Sequence, residues 1–123
     1  MDDTIVLLVD DSRVARMMTR AAIEKLRPDW TIIEAASGED ALSAITLDRP
    51  DFVLMDVNMP GIGGLETARQ LRGRCPKAVI SLLTANIQDS IRNQATEMGA
   101  GFMSKPLKEE DLVRFLAGGS KSS

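Results

Sequence analysis

Apolar residues along the chain follow two alternating patterns. Short, continuous apolar runs such as TIVLLVD at residues 4–10 are typical of strands that are buried on both faces. After each run comes a longer segment in which apolar residues recur every three or four positions, which predicts a helix. Five strands and five helices in strict β-then-α order favour a parallel sheet with helices on both faces, an α/β doubly wound fold.

The predicted elements have recognisable start and stop signals. We expect strands at residues 4–10, 30–36, 51–56, 77–85 and 100–105, and helices at 12–27, 38–47, 61–73 (with the preceding loop), 87–98 and 108–117. Ser37 and Asp40 resemble a capping box at the start of the second helix, and Gly99 ends the fourth. The predicted apolar stripe of the first helix consists of Val14, Met17, Met18, Ala21, Ala22 and Leu26.

The strand ends carry the candidate chemistry, because ligands of open α/β sheets bind outside the carboxyl ends of the strands. The residues at those ends are Asp10 with Asp11, Asp56, Thr84 and Lys105. Three carboxylates at one edge repel each other, so we expect either raised pKa values or a bound cation, for which a hard divalent ion such as Mg²⁺ fits best. The lysine suits a phosphate, and Asp56 can be either another metal ligand or a nucleophile that attacks phosphorus.

Each feature also has a purely structural interpretation. An Asp-Asp pair after a strand commonly forms a turn and a helix cap. Asn86 can be the N-cap of the fourth helix, with Asp89 three residues later. The glycines after the third strand suit turn geometry better than a phosphate loop, because they lack the GxxxxGK[ST] pattern; they are Gly61, Gly63 and Gly64. The joint arrangement therefore carries the functional prediction.

Composition narrows the function further. A chain of 123 residues, 44% hydrophobic and 27% charged, fits one globular domain. The net charge of −3 and the lack of a basic patch argue against direct nucleic-acid binding. No apolar run could span a bilayer and the acidic N-terminus does not resemble a signal peptide, so we expect a cytoplasmic protein without membrane insertion. Histidine is absent, and the single cysteine, Cys75, is expected to be a reduced thiol at a helix end.

Four segments resemble the receiver domain of bacterial two-component response regulators, and the similarity covers nearly the whole chain. They are VDDSRVAR, LMDVNMPGIGGLE, LLTAN and FMSKPL. DVNMPGIGGLE is especially similar to the CheY-like group. The distances of 46, 28 and 21 positions between Asp10, Asp56, Thr84 and Lys105 also agree with receivers. The resemblance implies a flavodoxin-like (βα)5 fold with strand order 2-1-3-4-5 and a receiver domain at residues 1–117. The Gly/Ser-rich composition of residues 118–123 predicts a flexible tail, either a frayed end or the beginning of a linker.

The resemblance also implies how the acids act. Asp56 would be the phosphoacceptor, taking a phosphoryl group from a sensor histidine kinase or a histidine phosphotransfer protein. Asp10 and Asp11 would hold Mg²⁺, with a carboxylate oxygen of Asp56 and the main-chain carbonyl of Asn58 as the other protein ligands. The protein would assist only its own phosphorylation and dephosphorylation, so it would not be an enzyme in the usual sense.

Further residues take family roles around this centre. Lys105 would bind the phosphoryl oxygen, and Thr84 would move inward to bond it, with room left by the small Ala85. Phe102 stands at the position of an aromatic switch, where many chemotaxis regulators have tyrosine; an ordinary core phenylalanine is the equal alternative. The positions that influence the phosphate lifetime hold Asn58 and Asn86. The Lys105-Pro106 bond resembles one that is cis in many receivers.

Two enzymatic or redox alternatives share part of this pattern. A haloacid-dehalogenase-type phosphatase needs a second aspartate two residues after the nucleophile, where this chain has Asn58. A flavodoxin-like electron carrier would offer hydroxyls and amides to a flavin phosphate, which Asp10 and Asp11 would repel. Both alternatives fit the sequence less well than a receiver.

The alternatives for the biological context are a free-standing shuttle and the receiver portion of a longer regulator with a DNA-binding or enzymatic output. We expect the free-standing protein, as a monomer or a phosphorylation-dependent dimer. Phosphorylation would drive either dimerisation through the face of the last helices or docking of a downstream target protein. The start of the first helix, with Arg13, Val14 and Met17 beside the acid pocket, is the expected kinase contact. Burial of Val14 and Met17 in the core is an equally good interpretation.

Overall fold

The computed structural model describes residues 4–46 and 49–118, which form one five-stranded parallel sheet with the order β2-β1-β3-β4-β5. The strands are β1 (Ile5–Val9), β2 (Thr31–Ala35), β3 (Phe52–Asp56), β4 (Val79–Thr84) and β5 (Gly101–Ser104). The helices are α1 (Arg13–Leu26), α2 (Gly38–Ala44), α3 (Gly63–Arg74), α4 (Asp89–Glu97) and α5 (Glu109–Leu116). The predicted fold class, element order and strand order are confirmed. Within the described ranges, no helix has the length and apolar character needed to cross a bilayer.

The central strands explain why the sheet is covered on both faces. Successive side chains of a strand point to opposite faces, so a continuous apolar run feeds two cores. Leu7 and Val9 of β1 pack in one cluster with helices α2, α3 and α4, whereas Val6 and Leu8 pack in a second cluster with α1 and α5. All four side chains are at most 2% exposed. The two clusters fix the sheet between its helical layers and thereby hold its carboxyl edge in place.

The predicted apolar stripe of α1 is wrong in part. Val14, Met17 and Met18 are 65%, 57% and 69% exposed, whereas Ile23 is fully buried and packs with Ala22 and Leu26. The helix carries more apolar residues than one face can hold. Residues spaced as 14, 17, 18 and 21 share a face that differs from the one that packs on the sheet. The alternative of a solvent-facing start of α1 is therefore confirmed.

Several element bounds differ from the prediction by a few residues. Strands β1 and β5 end one residue before Asp10 and Lys105. Helix α2 ends at Ala44, and residue 47, the last of the predicted helix, lies outside the described ranges. Helix α4 begins at Asp89 with Gln88 as its N-cap, so the assignment of Asn86 as a cap is wrong.

Other local predictions are confirmed. Ser37 caps α2 by accepting a hydrogen bond from the main-chain nitrogen of Asp40. Cys75 is a buried free thiol at the end of α3, and the Lys105-Pro106 bond is cis. The predicted flexible tail lies outside the described residues except for Gly118.

The glycines after β3 serve backbone geometry, as the turn interpretation predicts. Gly61 and Gly63 have φ angles of 79° and 80°, the left-handed region that favours glycine. Gly64 is buried against β3, and a Cβ added there would lie 2.0 Å from the main-chain oxygen of Asp56. Only glycine allows the first turn of α3 to approach the end of β3 this closely.

Gly64→Ala should lower the free energy of unfolding by roughly 2 kcal/mol, because α3 must move away from the Asp56 carbonyl to admit a methyl group. Urea denaturation measures the change. Gly73→Ala is a matched control in the same helix, since nothing lies within 4 Å of its added Cβ. The control should be neutral or stabilising by up to about 1 kcal/mol. Equal stability changes in the two variants would contradict the close approach.

Candidate functional site

The predicted strand-end residues meet at the carboxyl edge of the sheet. Asp56 and Thr84 are the last residues of β3 and β4, and Asp10 and Lys105 directly follow β1 and β5. Asp10, Asp56 and Thr84 are buried, with 6%, 3% and 2% of their surface exposed. Parallel strands place their carboxyl ends on one edge, so residues far apart in the sequence converge there.

Lys105 bridges the two buried aspartates. Its Nζ lies 2.9 Å from Oδ2 of Asp10 and 3.2 Å from Oδ1 of Asp56. Burial alone would lower the pKa of Lys105, but the hydrogen bond to Asp10 and the charge of Asp56 together raise its pKa above the usual value. The lysine therefore stays protonated and provides a fixed positive charge between two carboxylates.

The carboxylate of Asp10 is also held from its own loop. Its Oδ1 accepts a hydrogen bond of 2.9 Å from the main-chain nitrogen of Ser12. Ser12 is the N-cap of α1, and its hydroxyl accepts from the nitrogen of Ala15. The cap and the carboxylate therefore stabilise the same tight connection between β1 and α1.

The two oxygens of Asp56 have different surroundings. Oδ1 forms the ion pair with Lys105 and accepts a hydrogen bond of 3.2 Å from the main-chain nitrogen of Asn58. Among residues 4–46 and 49–118, no donor is bonded to Oδ2, and no buried side-chain oxygen lacks a partner. Oδ2 therefore keeps a small exposure to solvent, although the residue as a whole is 3% exposed. Burial, and then the charge of Asp10, raise the pKa of Asp56.

Asp10, Asp11 and Asp56 form a group that can hold a metal ion. One carboxylate oxygen from each residue lies within 4.8 Å of the others. Asp11 is exposed, so this group opens to solvent on one side. Three hard oxygen donors with an open side suit Mg²⁺, which keeps several waters and accepts ligands from a substrate phosphate.

Other predicted residues lie at the margin of the pocket or outside it. The hydroxyl of Thr84 donates to the main-chain oxygen of Asn86 and accepts from its nitrogen, both at 3.2 Å, so it is engaged with its own loop. The side chains of Asn58 and Asn86 are exposed. Phe102 is half-buried against the core cluster of β4 and α4, and the Arg92 guanidinium lies 5.2 Å from its ring centroid.

Arg16 belongs to the site although no pattern in the sequence predicted it. Its Nη1 donates to the main-chain oxygen of Asp10 at 2.6 Å, and its Nε donates to Oε1 of Glu34 at 2.9 Å. Arg20 donates to the other oxygen of Glu34 at 2.7 Å. The sequence did contain one indication of this contact: Glu34 is the single acid in the apolar run of β2, and a charged side chain in a strand needs a partner.

Comparisons with known proteins agree with this architecture. Residues 6–117 match the family described as the response regulator receiver domain. The response regulator UvrY of Escherichia coli (strain K12) is 35% identical over 109 residues, which cover 88% of this chain and 50% of UvrY. The chain thus spans about half the length of such curated relatives.

Two further proteins show the range of contexts. The cyclic di-GMP phosphodiesterase response regulator RpfG of Xanthomonas campestris pv. campestris (strain 8004) is 38% identical over 111 residues, covering 87% of this chain and 29% of RpfG. The structure of chemotaxis protein CheY4 from Vibrio cholerae superposes with a TM-score of 0.85 at 28% identity, covering 95% of this chain and 98% of that one.

The family match runs from β1 to the end of α5, and the strand order and the acidic cluster at the sheet edge agree with it. This chain therefore belongs to the response regulator receiver domain family and has its CheY-like fold.

Proposed function

We propose that this domain receives a phosphoryl group on Asp56 in a Mg²⁺-dependent reaction and thereby switches a partner-binding surface. The observation that carries the proposal is the buried Asp56 carboxylate, whose Oδ1 lies against Lys105 and the Asn58 nitrogen while no donor among the described residues is bonded to Oδ2. Such an oxygen is oriented and available for attack on phosphorus. Residues 1–117 would form the working unit, with 118–123 as a tail.

The proposed transfer forms one bond to phosphorus and breaks another. Oδ2 of Asp56 attacks the phosphorus of a phosphohistidine on a kinase or phosphotransfer protein, a P–O bond forms and the P–N bond breaks. The histidine nitrogen leaves with the electron pair of that bond and takes a proton from solvent. Mg²⁺ held by Asp10, Asp11, Asp56 and the main-chain carbonyl of Asn58 would neutralise charge on the transferring group.

Lys105 and Thr84 have complementary proposed roles. The ammonium of Lys105 already lies beside Asp56 and would pair with a phosphoryl oxygen after transfer. The hydroxyl of Thr84 would exchange its bonds to Asn86 for one to the phosphoryl group. That exchange would move the β4–α4 loop, with Phe102 as the aromatic switch and with Asn58 and Asn86 as the lifetime positions.

The proposed partners are a sensor histidine kinase or a histidine phosphotransfer protein, and a downstream target. The apolar residues exposed at the start of α1 lie directly after the acid pocket and suit a helical partner. We propose a cytoplasmic protein that makes no direct contact with nucleic acid. It would be a monomer or would form a dimer when it is phosphorylated.

A second context is supported by the lengths of the relatives. UvrY and RpfG extend well beyond the matched segment, and in a longer regulator of this kind the receiver would control a DNA-binding or enzymatic output. Size-exclusion chromatography of the protein with a phosphoryl analogue distinguishes the contexts. A shift to a dimer favours control of an output by dimerisation, and an unchanged monomer favours a free-standing shuttle.

Incubation with acetyl phosphate and Mg²⁺ should add one phosphoryl group to the wild-type protein and none to Asp56→Asn. Intact-mass spectrometry and base lability of the label test for an acyl phosphate. Omission of Mg²⁺ should abolish labelling of the wild type. Equal labelling of the variant, or a folded Mg²⁺-binding wild type that takes no label, would overturn the proposed phosphotransfer.

In metal-free protein at pH 7, Asp56→Asn should raise the free energy of unfolding by roughly 1 kcal/mol, because an unfavourable buried charge is removed while Lys105 keeps Asp10 as its partner. Burial, and then the charge of Asp10, raise the folded-state pKa of Asp56, so the folded protein binds this proton more tightly than the unfolded chain. Protonation of Asp56 therefore adds to the free energy of unfolding. This contribution is complete below the pKa that Asp56 has in the unfolded chain, and it is lost as the pH rises through its pKa in the folded protein.

Urea denaturation in EDTA across a pH series measures this effect. The gap between the two proteins should narrow as the pH falls from 7 towards the unfolded pKa of an aspartate, about 4. Replacement of the exposed Asp29 by Asn is the control and should change stability by less than about 0.5 kcal/mol. A variant less stable than wild type at pH 7 would contradict the prediction.

Val14→Glu should make phosphotransfer from a histidine kinase roughly tenfold slower, because a charge replaces an exposed apolar contact of about 1–2 kcal/mol. The kinase is a purified one that labels the wild-type protein. Labelling by acetyl phosphate should not change. Val113→Glu on α5 is the matched control, since this valine is also exposed, at 45%. If the two valine variants behave alike with the kinase, the α1 contact is wrong.

A further inference from the structure

Arg16 joins three parts of the protein that surround the acidic cluster. It lies on the first turn of α1, its Nε contacts Glu34 on β2, and its Nη1 contacts the main-chain oxygen of Asp10. The side chain is only 15% exposed. One guanidinium therefore ties α1, β2 and the β1–α1 connection together.

We propose that Arg16 is a positioning residue for the Mg²⁺ site, and that it acts through the main-chain carbonyl of Asp10. This inference rests on the proposed function, because it takes Asp10 and Asp11 as metal ligands. Arg16 itself would not touch the metal or the phosphoryl group. Arg16 forms its ion pair with Glu34. Its contact with Asp10 is made to the main-chain oxygen and not to the carboxylate.

The location of the contacted carbonyl supports this role. The carbonyl of Asp10 belongs to the peptide group that links Asp10 to Asp11, so fixing it orients both residues. Strand β1 has already ended at Val9, although the nitrogen of Asp10 still donates to the oxygen of Ala35 at 3.1 Å. The main-chain oxygen of Asp10 accepts its 2.6 Å hydrogen bond from Arg16, whereas a carbonyl within the strand would accept one from a neighbouring strand.

The chemistry of the arginine side chain also fits. A guanidinium can donate from Nε and Nη1 in two fixed directions at once, whereas the single ammonium of a lysine cannot reproduce this fork. Glu34 is oriented from both sides, because Arg20 donates to its other oxygen. The hydrogen bonds from Arg20 and then Arg16 lower the pKa of Glu34, which keeps this acceptor charged.

The sign of the metal-affinity change separates positioning from simple charge. Removal of a positive side chain near a cation site, by itself, strengthens Mg²⁺ binding because electrostatic repulsion falls. Loss of a positioning contact weakens it, since outer contacts of metal sites typically contribute 10–100-fold in affinity. Arg20 provides the matched comparison: it also pairs with Glu34, but its observed contacts are with Glu34 and Glu24.

The experiment measures Mg²⁺ affinity by calorimetry for the wild type, Arg16→Ala, Arg16→Lys and Arg20→Ala. We expect roughly tenfold weaker binding for both Arg16 variants, and unchanged or tighter binding for Arg20→Ala. In metal-free samples, the Asp10 carbonyl ¹³C resonance should move upfield in the Arg16 variants only, because that carbonyl loses its hydrogen bond. Circular dichroism checks the fold, and Arg16→Lys carries the comparison if Arg16→Ala does not fold.

The outcomes separate this inference from the proposed function. If the wild type binds Mg²⁺ and the Arg16 variants bind it equally or more tightly, the positioning role is wrong and the proposed function stands. Equal weakening in Arg20→Ala would also overturn the role, because it would point to the ion-pair network as a whole. A wild type that binds no Mg²⁺ would overturn both proposals.

Discussion

The concentration of negative charge at one edge of the sheet is the constraint on which this site depends. The strand order places β1 and β3 side by side, so Asp10 and Asp56 are forced together where both are nearly excluded from water. Lys105 follows β5, 95 residues from Asp10 in the sequence, and its ammonium lies between the two acids. Like charges in a partly dry cleft are unfavourable, and one lysine offsets part of their repulsion.

This constraint explains why the site is built on a rigid frame. The apolar clusters on the two faces of the sheet hold β1, β3 and β4 in fixed register, and their free energy of burial offsets the cost of the acids at the strand ends. A cation or a phosphoryl group that enters the cluster changes its charge balance and so changes the free energy of the folded protein. Binding chemistry and folding stability are therefore linked through the same few carboxylates.

The sequence predicts the sheet and its covering helices well because the periodicity of hydrophobic residues reflects which side chains are buried. The doubly buried runs of β1, β3 and β4 and the alternation with helical segments are enough to predict a parallel α/β sheet. The resemblance to receivers supplies the strand order. Element ends are less accurate: Asp10 and Lys105 lie one residue beyond their strands, and the N-cap of α4 is Gln88 and not Asn86. Cap choice depends on where the loop leaves the sheet, which local sequence does not specify.

Helix α1 shows what sequence pattern alone leaves undetermined. Its apolar residues form two faces, and only packing shows that Ile23 lies in the core while Val14 and Met17 face solvent. Arg16 lies near the boundary between these faces, where an amphipathic pattern reads as an ordinary surface charge. Its partners are Glu34 on β2 and the carbonyl of Asp10, directly after β1, and the register of β1 and β2 brings them together. Helix α1 thus packs against the core, exposes apolar side chains beside the acidic cluster and holds the peptide group between Asp10 and Asp11, and these roles become distinct only in three dimensions.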